Sequence, residues 1–296
     1  MVRCVLSLTT LPDRYTSLLK NLKSLSQQTV KPDAIYLCLP YIAKRSGKSY
    51  PPLSMEMNEL CTVVRTEVDY GPICKLYGAL KMEQDPETVI ITVDDDVTYP
   101  TNLVEKMLQK HALKPNAAIT GCGVLINDGY NMSINTNFEG LMFMNGFLCG
   151  FPYYNGERKV DIVQGISGVL YKRGFFPNNL NDLLQYTEDE DIFRSDDILI
   201  SSWLCHQRIK RYTFKDMPRV TITLADDAAL SSDLRKMLQT FKRTVKKCQD
   251  LKLLTHLEEA SMATSPTVRT PFWMMMIIVI IVVIYIVIRY LKEMTF

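Results

Sequence analysis

The sequence predicts an α/β protein built on a doubly wound layer, and three observations point there. From Val2 to His111 short apolar strands alternate with amphipathic helices, the pattern of successive βαβ units. One strand, within Val89 to Pro100 (V-I-I-T-V-D-D-D-V-T-Y-P), runs directly into three carboxylates. A buried strand of that kind delivers its charges to the C-terminal edge of a sheet, where ligands bind in open α/β folds. The composition, 47% hydrophobic and 22% charged over 296 residues, is that of a globular chain long enough for a sizeable packed core.

Val2 to Leu8 reads as the first strand, with the polar turn T-T-L-P-D-R at its C-terminal end. Tyr15 to Gln27 places Leu18, Leu19, Leu22 and Leu25 at helical spacing, giving one apolar face. Lys31-Pro32-Asp33 ends that helix, and Ala34 to Leu39 is the second strand; the unit is expected to be right-handed and parallel. Pro40 to Leu53 carries prolines, Gly47 and the basic Lys44, Arg45 and Lys48, and reads as a mobile loop. A short third strand follows at Cys61 to Arg65, then the turn Asp69-Tyr70-Gly71-Pro72 and a helix from Lys75 to Met82. The acidic strand is fourth, and Thr101 to His111 is the helix after it.

Three adjacent carboxylates repel one another, so they persist only if cations, arginines or water compensate them. On an extended strand Asp94 and Asp96 would face one site while Asp95 turned away. Oxygen-only ligands suit Mg²⁺ or Mn²⁺, which complete their shells with water and substrate phosphates. A solvated acidic turn is the other reading of the triplet.

Beyond Pro115, Ala117 to Gly121 reads as a strand, and Gly121 to Tyr154 is rich in Gly, Asn and aromatics without a clear period. An irregular region of that size is expected to shape a substrate site. Order returns at Val160 to Val163 and Q-G-I-S-G-V-L-Y, where Gly165 and Gly168 allow close backbone approach. Asp196 and Asp197 stand in the first turn of a predicted helix through Ile209, so they serve either as N-terminal charges for the helix dipole or as a functional pair. Leu230, Leu234, Met237, Leu238, Phe241, Val245 and Cys248 then keep helical spacing, with Arg235, Lys236, Lys242, Arg243, Lys246 and Lys247 mostly off that stripe. That helix either packs on the domain with a solvated basic face or rests its basic face on anionic headgroups.

Eight cysteines without a C-x-x-C or close Cys/His spacing argue for free thiols in a reducing compartment and against a zinc site. A net charge of +2 gives no reason to expect a nucleic-acid partner. Asn131-Met132-Ser133 matches a glycosylation sequon and is read as a chance match. Phe272 to Ile288 is uncharged, lies between Arg269 and Arg289, and has Trp273 and Tyr290 near its ends. It reads as a single membrane span, a buried core helix being the alternative. With the N-terminus too quickly polar for a signal peptide, a tail anchor with the preceding domain on the cytosolic side is expected. The expected organisation is an α/β domain over 1–220, a basic amphipathic helix over 221–256, a linker over 257–270 and the transmembrane helix over 271–291.

Taken together, these stretches resemble a glycosyltransferase of the GT-A fold, similar to the compact family-2-like enzymes of bacteria and large algal viruses. The resemblance covers roughly Val2 to Pro218 and rests on I-T-V-D-D-D-V-T-Y-P, which looks like that fold's D-x-D element, and D-Y-G-P-I-C-K-L ahead of it. S-L-T-T-L-P-D-R, Q-G-I-S-G-V-L-Y and S-D-D-I-L-I-S follow the expected order. It implies a Rossmann-like mixed sheet flanked by helices, a nucleotide-sugar donor and a glycan or lipid-linked acceptor. Thr9, Thr10 and Arg14 would line the nucleotide pocket, with Asp69 near the base or ribose and Lys75 towards the diphosphate. Asp94 and Asp95 would contribute to donor binding, and Asp96, with Asp94, would hold Mn²⁺ or Mg²⁺. Gly165 and Gly168 would border the acceptor, and Asp197, or else Asp196, would be the general base of an inverting transfer. The late histidine ligand of many such enzymes has no counterpart in motif, since His111, His206 and His256 all fall elsewhere. Two other readings stay open: a sugar-1-phosphate nucleotidyltransferase, and a non-catalytic membrane-tethered sugar-binding protein of the same fold.

Overall fold

An eight-stranded mixed sheet organises the chain in the computed structural model, which describes residues 2–126, 132–136, 142–144, 147–149, 157–214, 216–218, 220–222 and 234–255. The first half alternates as the periodicity predicts: β1 (Cys4–Leu8), α1 (Tyr15–Ser26), β2 (Ala34–Pro40), α2 (Met55–Leu60), β3 (Thr62–Thr66), α3 (Cys74–Met82) and β4 (Val89–Thr92). The short β5 (Val97–Thr98), α4 (Leu103–Leu113) and β6 (Ala117–Thr120) follow. Strands β3-β2-β1-β4 lie side by side and parallel. The chain leaves β1 towards β2 and β3 and then returns to its other side as β4, so the order reverses between β1 and β4. That reversal opens a crevice at the C-terminal ends of those two strands.

The second half completes the sheet with antiparallel insertions. After β7 (Cys122–Ile126), β8 (Met132–Thr136), β9 (Met142–Met144), β10 (Phe147–Cys149), β11 (Glu157–Lys159) and β12 (Ile162–Val163) comes β13 (Val169–Lys172). β13 runs antiparallel between β4 and β6, so its N-terminal end, at Val169, faces Thr92 at the crevice edge. Helices α5 (Asn181–Leu184), α6 (Glu190–Phe193) and α7 (Asp196–His206) precede β14 (Lys210–Phe214), which pairs with β6, and β15 (Thr221–Ile222), which pairs with β5. β7 pairs with β8 and β12 in a second small sheet, within a region where the sequence shows no period. A strand containing Gly123 gives a weak alternation signal, and that glycine is required because a Cβ there would lie 2.8 Å from Val160.

Alternation along the strands explains why helices cover both faces. Val5, Cys38 and Ile90 point into one core with Leu76, Ala79 and Leu80 of α3 and Ile198 and Leu199 of α7. Leu6, Leu8, Leu37 and Ile91 point into the other with Leu18, Leu22 and Leu25 of α1 and Leu103 and Met107 of α4. Each fully buried leucine of α1 contributes about 1.5–3 kcal/mol. Gly78 lets α3 approach β2, since a Cβ at that position would stand 2.7 Å from that of Cys38. The sequence does not announce α2, whose six residues are too few for a period; Ser54 caps it by accepting from the Met57 amide. The loop before it is pinned by the Ile42–Ser49 bridge and the buried Tyr50, whose hydroxyl donates to the Thr10 carbonyl at 2.9 Å.

The final described helix, α8 (Leu234–Asp250), packs on the α/β unit through Val245 and Cys248, both fully buried. Its basic face is partly spoken for: Arg243 pairs with Asp191, and Lys247 with Asp189 and Asp191. Those two cations therefore hold α8 to α6, while Lys242 and Lys246 are exposed. The described residues belong to one compact unit. The expected linker and transmembrane helix at 257–270 and 271–291 lie outside the described residues, among which no helix is long and apolar enough to cross a membrane. Seven described cysteines are buried, and none of them is in a disulfide.

Candidate functional site

The predicted site residues gather at one edge of the sheet, around the crevice between β1 and β4. Asp94, Asp95 and Asp96 leave β4 not on an extended strand but in a turn that leads to β5. The three carboxylates therefore diverge in a way strict alternation does not describe. Asp94 Oδ1 accepts from the Lys75 ammonium at 2.6 Å. Asp95 turns inward, is 8% exposed, and accepts from the Thr10 hydroxyl and from Arg14 at 2.8 Å. Asp96 lies at the surface side of the turn and comes within 3.2 Å of the same Arg14 nitrogen, so it shares a cation with Asp95.

Two buried side chains with no earlier assignment hold this turn. Asn21 Nδ2 donates to the carbonyls of Val97 at 2.5 Å and Asp94 at 3.2 Å, and the Tyr99 hydroxyl accepts from the Asp94 amide at 2.8 Å. Asn21 is detectable in retrospect as a polar residue inside the Leu18, Leu22, Leu25 stripe. Nothing in the spacing of Tyr99 points to its role.

Lys75 reaches the site from the first turn of α3, where the Gly71 turn, with a φ of 77° that favours glycine, aims the helix at the sheet edge. Asp69 fixes that turn by accepting from the amides of Gly71 and Lys44, both at 2.7 Å. The ammonium of Lys75 also lies 3.0 Å from Asp196 Oδ2, on the first turn of α7. Asp197, the next residue, accepts from the Gly165 amide at 3.1 Å. A Cβ on Gly165 would stand 2.7 Å from the Lys75 nitrogen and 3.3 Å from both Asp197 Oδ1 and Asp94 Oδ1. Three segments distant in sequence thus meet at one glycine. Gly168, with a φ of 76°, turns the chain into β13 and donates its amide to the Gly165 carbonyl at 2.7 Å. Thr9, just past the end of β1, donates to the Cys38 carbonyl at 2.8 Å.

The electrostatics follow from burial and from like charges in close quarters. Burial, with Asp196 and Asp94 nearby, pushes the Asp197 carboxyl up to about 8 against the pull of Lys75 and the Gly165 amide. Burial and the neighbouring Asp94 and Asp95 push Asp96 up to about 6. Burial also raises Asp95, with Arg14 and Thr10 opposing. For Lys75 burial favours the neutral amine, but Asp196, Asp94 and Asp197 outweigh it and hold the ammonium well above its ordinary range.

The donor set fits a hard divalent ion in one specific sense. Among the described residues no three His, Cys, Asp or Glu side chains form a metal cage, and His206 is exposed at the far end of α7 against Trp203. Asp96, with Asp94, could supply one or two carboxylate oxygens. Mg²⁺ and Mn²⁺ sites completed by water and phosphate need no more than that.

No family model and no curated protein sequence matches the chain. Solved structures match by fold, among them one described as the crystal structure of GalNAc-T7 with UDP, GalNAc and Mn²⁺. Over 83% of this chain it superposes with a TM-score of 0.54 at 12% identity. The chain spans about half of that structure's length, 48%. At that identity the likeness is one of fold, and the fold of this chain is GT-A-like.

Proposed function

We propose that this chain is a divalent-metal-dependent glycosyltransferase, family-2-like, that moves a sugar from a nucleotide donor to a hydroxyl of a glycan or lipid-linked acceptor with inversion. The observation that carries the reading is the convergence at Gly165 of Lys75, Asp94 and Asp197. It sets a cation-seeking turn and a half-buried carboxylate on either side of the crevice where α/β folds take their ligands. GalNAc-T7, crystallised with UDP and Mn²⁺, makes a nucleotide sugar and a divalent ion reasonable ligands here.

Asp96, with Asp94, would hold the ion, which when bound supplies Lewis-acid neutralisation of the departing diphosphate. The chain's own residues do the rest. Arg14 and Thr10 hold Asp95 buried, and Asn21 and Tyr99 hold the backbone of the turn, so Asp96 is presented rather than folded inward. Asp197 takes the proton of the acceptor hydroxyl as its oxygen bonds to the anomeric carbon and the bond to the diphosphate breaks. A carboxylate whose proton affinity is raised towards the working pH is a more effective base than an ordinary one. One base and direct displacement invert the anomeric centre. Lys75 lies within the same site, where its ammonium can meet the diphosphate.

Incubating Met1 to Thr270 with Mn²⁺ and a panel of nucleotide sugars tests this. Slow release of nucleoside diphosphate is the expected result. Pyrophosphate exchange would identify a nucleotidyltransferase instead, and neither product a binding protein. The C-terminal stretch is proposed as a membrane anchor with the catalytic unit facing the cytosol. Deleting 271–296 should move the protein to the soluble fraction, and persistence in carbonate-washed membranes would overturn that part.

A further inference from the structure

Two segments compete for Lys75 at this site. Its nitrogen bonds Asp94 Oδ1 at 2.6 Å and pairs with Asp196 Oδ2 at 3.0 Å, and its side chain is 7% exposed. The Asp196 oxygen is buried and makes no hydrogen bond, so the contact is an ion pair without hydrogen-bond alignment. The missing side chain of Gly165, 2.7 Å from the nitrogen, leaves room beside the ammonium. A lysine can use that room, having a compact charge on a flexible four-carbon stem.

Mg²⁺ on Asp94 would sit about 2.0–2.1 Å from a carboxylate oxygen. The ammonium is already 2.6 Å from that carboxylate, and two cations so close repel. Resting on the glycosyltransferase reading, we propose that Lys75 is a displaceable internal counterion. It keeps Asp94 from taking a divalent ion alone and releases it when a nucleoside diphosphate offers phosphate oxygens to the ammonium. Metal and nucleotide then bind as a pair rather than metal first, and no covalent bond changes. Asp196 is a positioning residue in this scheme, the second anchor that steadies the ammonium between turns.

The test is Mn²⁺ binding to the full-length chain in detergent, followed by electron paramagnetic resonance with and without UDP or GDP. Two double variants each remove one positive and one negative charge, which preserves the balance of the cluster. Lys75→Met with Asp196→Asn leaves Asp94 uncovered and should bind Mn²⁺ without nucleotide at least tenfold more tightly than the wild type. Lys75→Met with Asp94→Asn should bind it no more tightly than the wild type. In the wild type itself, the better of the two diphosphates should tighten Mn²⁺ at least tenfold, a measurement that does not depend on either variant folding. Equal Mn²⁺ affinity in both doubles, or in the wild type with and without a diphosphate it binds, overturns the proposal. If the wild type binds neither diphosphate, the glycosyltransferase reading fails, while the Mn²⁺ comparison of the doubles still decides whether Lys75 blocks Asp94.

Discussion

Two charge clusters in this protein use the same side chains to opposite ends. Between α6 and α8, Asp189 and Asp191 meet Arg243 and Lys247 at 2.8 to 3.1 Å, two carboxylates to two cations near the surface. The Arg243 hydrogen bonds hold Asp191 down to about 2, and Lys247 outweighs burial to lower Asp189 as well. At the crevice, Asp94 and Asp196 share Lys75, Asp95 and Asp96 share Arg14, and Asp197 leans on a backbone amide. There burial and mutual repulsion win, and Asp96 and Asp197 are raised. A balanced, solvated cluster fastens two helices together; an unbalanced, buried one is left seeking a cation or a proton.

The sharpest way to break that contrast is at Asp96. Asp96→Ala should reduce transfer on the order of 10³-fold or more and remove nucleotide-dependent Mn²⁺ binding in calorimetry. Wild-type rates would mean that the unbalanced cluster is not the cation site. Asp197→Asn comes next: kcat should fall by roughly 10²–10⁴-fold, with the donor KM little changed. Unchanged transfer would move the base to Asp196 or beyond.

A third measurement separates the clusters by pH. The activity of the wild type should rise through about 8 as Asp197 gives up its proton, and Asp196→Asn, which removes a like charge, should shift that limb to lower pH. Stability runs the other way. Asp197 binds its proton more tightly folded than unfolded, so its contribution is complete below the ordinary carboxylate range and is lost as pH rises through about 8. Asp197→Asn should therefore flatten the decline in Tm that calorimetry would record between the ordinary carboxylate range and about 8.

Asp191 has the opposite sign, its contribution being present above the ordinary range and lost as pH falls through about 2. The smallest effect is expected here. Asp191→Asn should lower Tm by no more than a few degrees, and the difference should shrink in high salt, as for other solvated pairs. A large, salt-insensitive loss would mean that the outer cluster is no mere fastening.

Much of this could be read from residue order. Leu18, Leu22 and Leu25 announce α1, the Val89–Thr92 run announces β4, and the aspartates after that run announce an edge, because helix and strand periods of 3.6 and 2 are local and survive in the sequence. Both acidic runs and the basic face of α8 are visible as well, though not that Arg243 and Lys247 would close on Asp191. The strands from Cys122 to Cys149 are not legible, since glycines and short lengths blur their alternation. Asn21 was hidden in an apolar stripe, and Tyr99 had no pattern at all.

By itself the sequence determined which side chains arrive at the crevice: the strands that end there, and the carboxylates and the lysine placed just beyond them. The tertiary structure alone decided their partners. β13 enters antiparallel beside β4 and brings Gly165 against Asp94, while α7 brings Asp196 and Asp197 to Lys75. Those pairings depend on strand order and helix placement across the sheet, which no local period encodes, and they settle which carboxylates are neutralised and which keep their appetite for a cation or a proton.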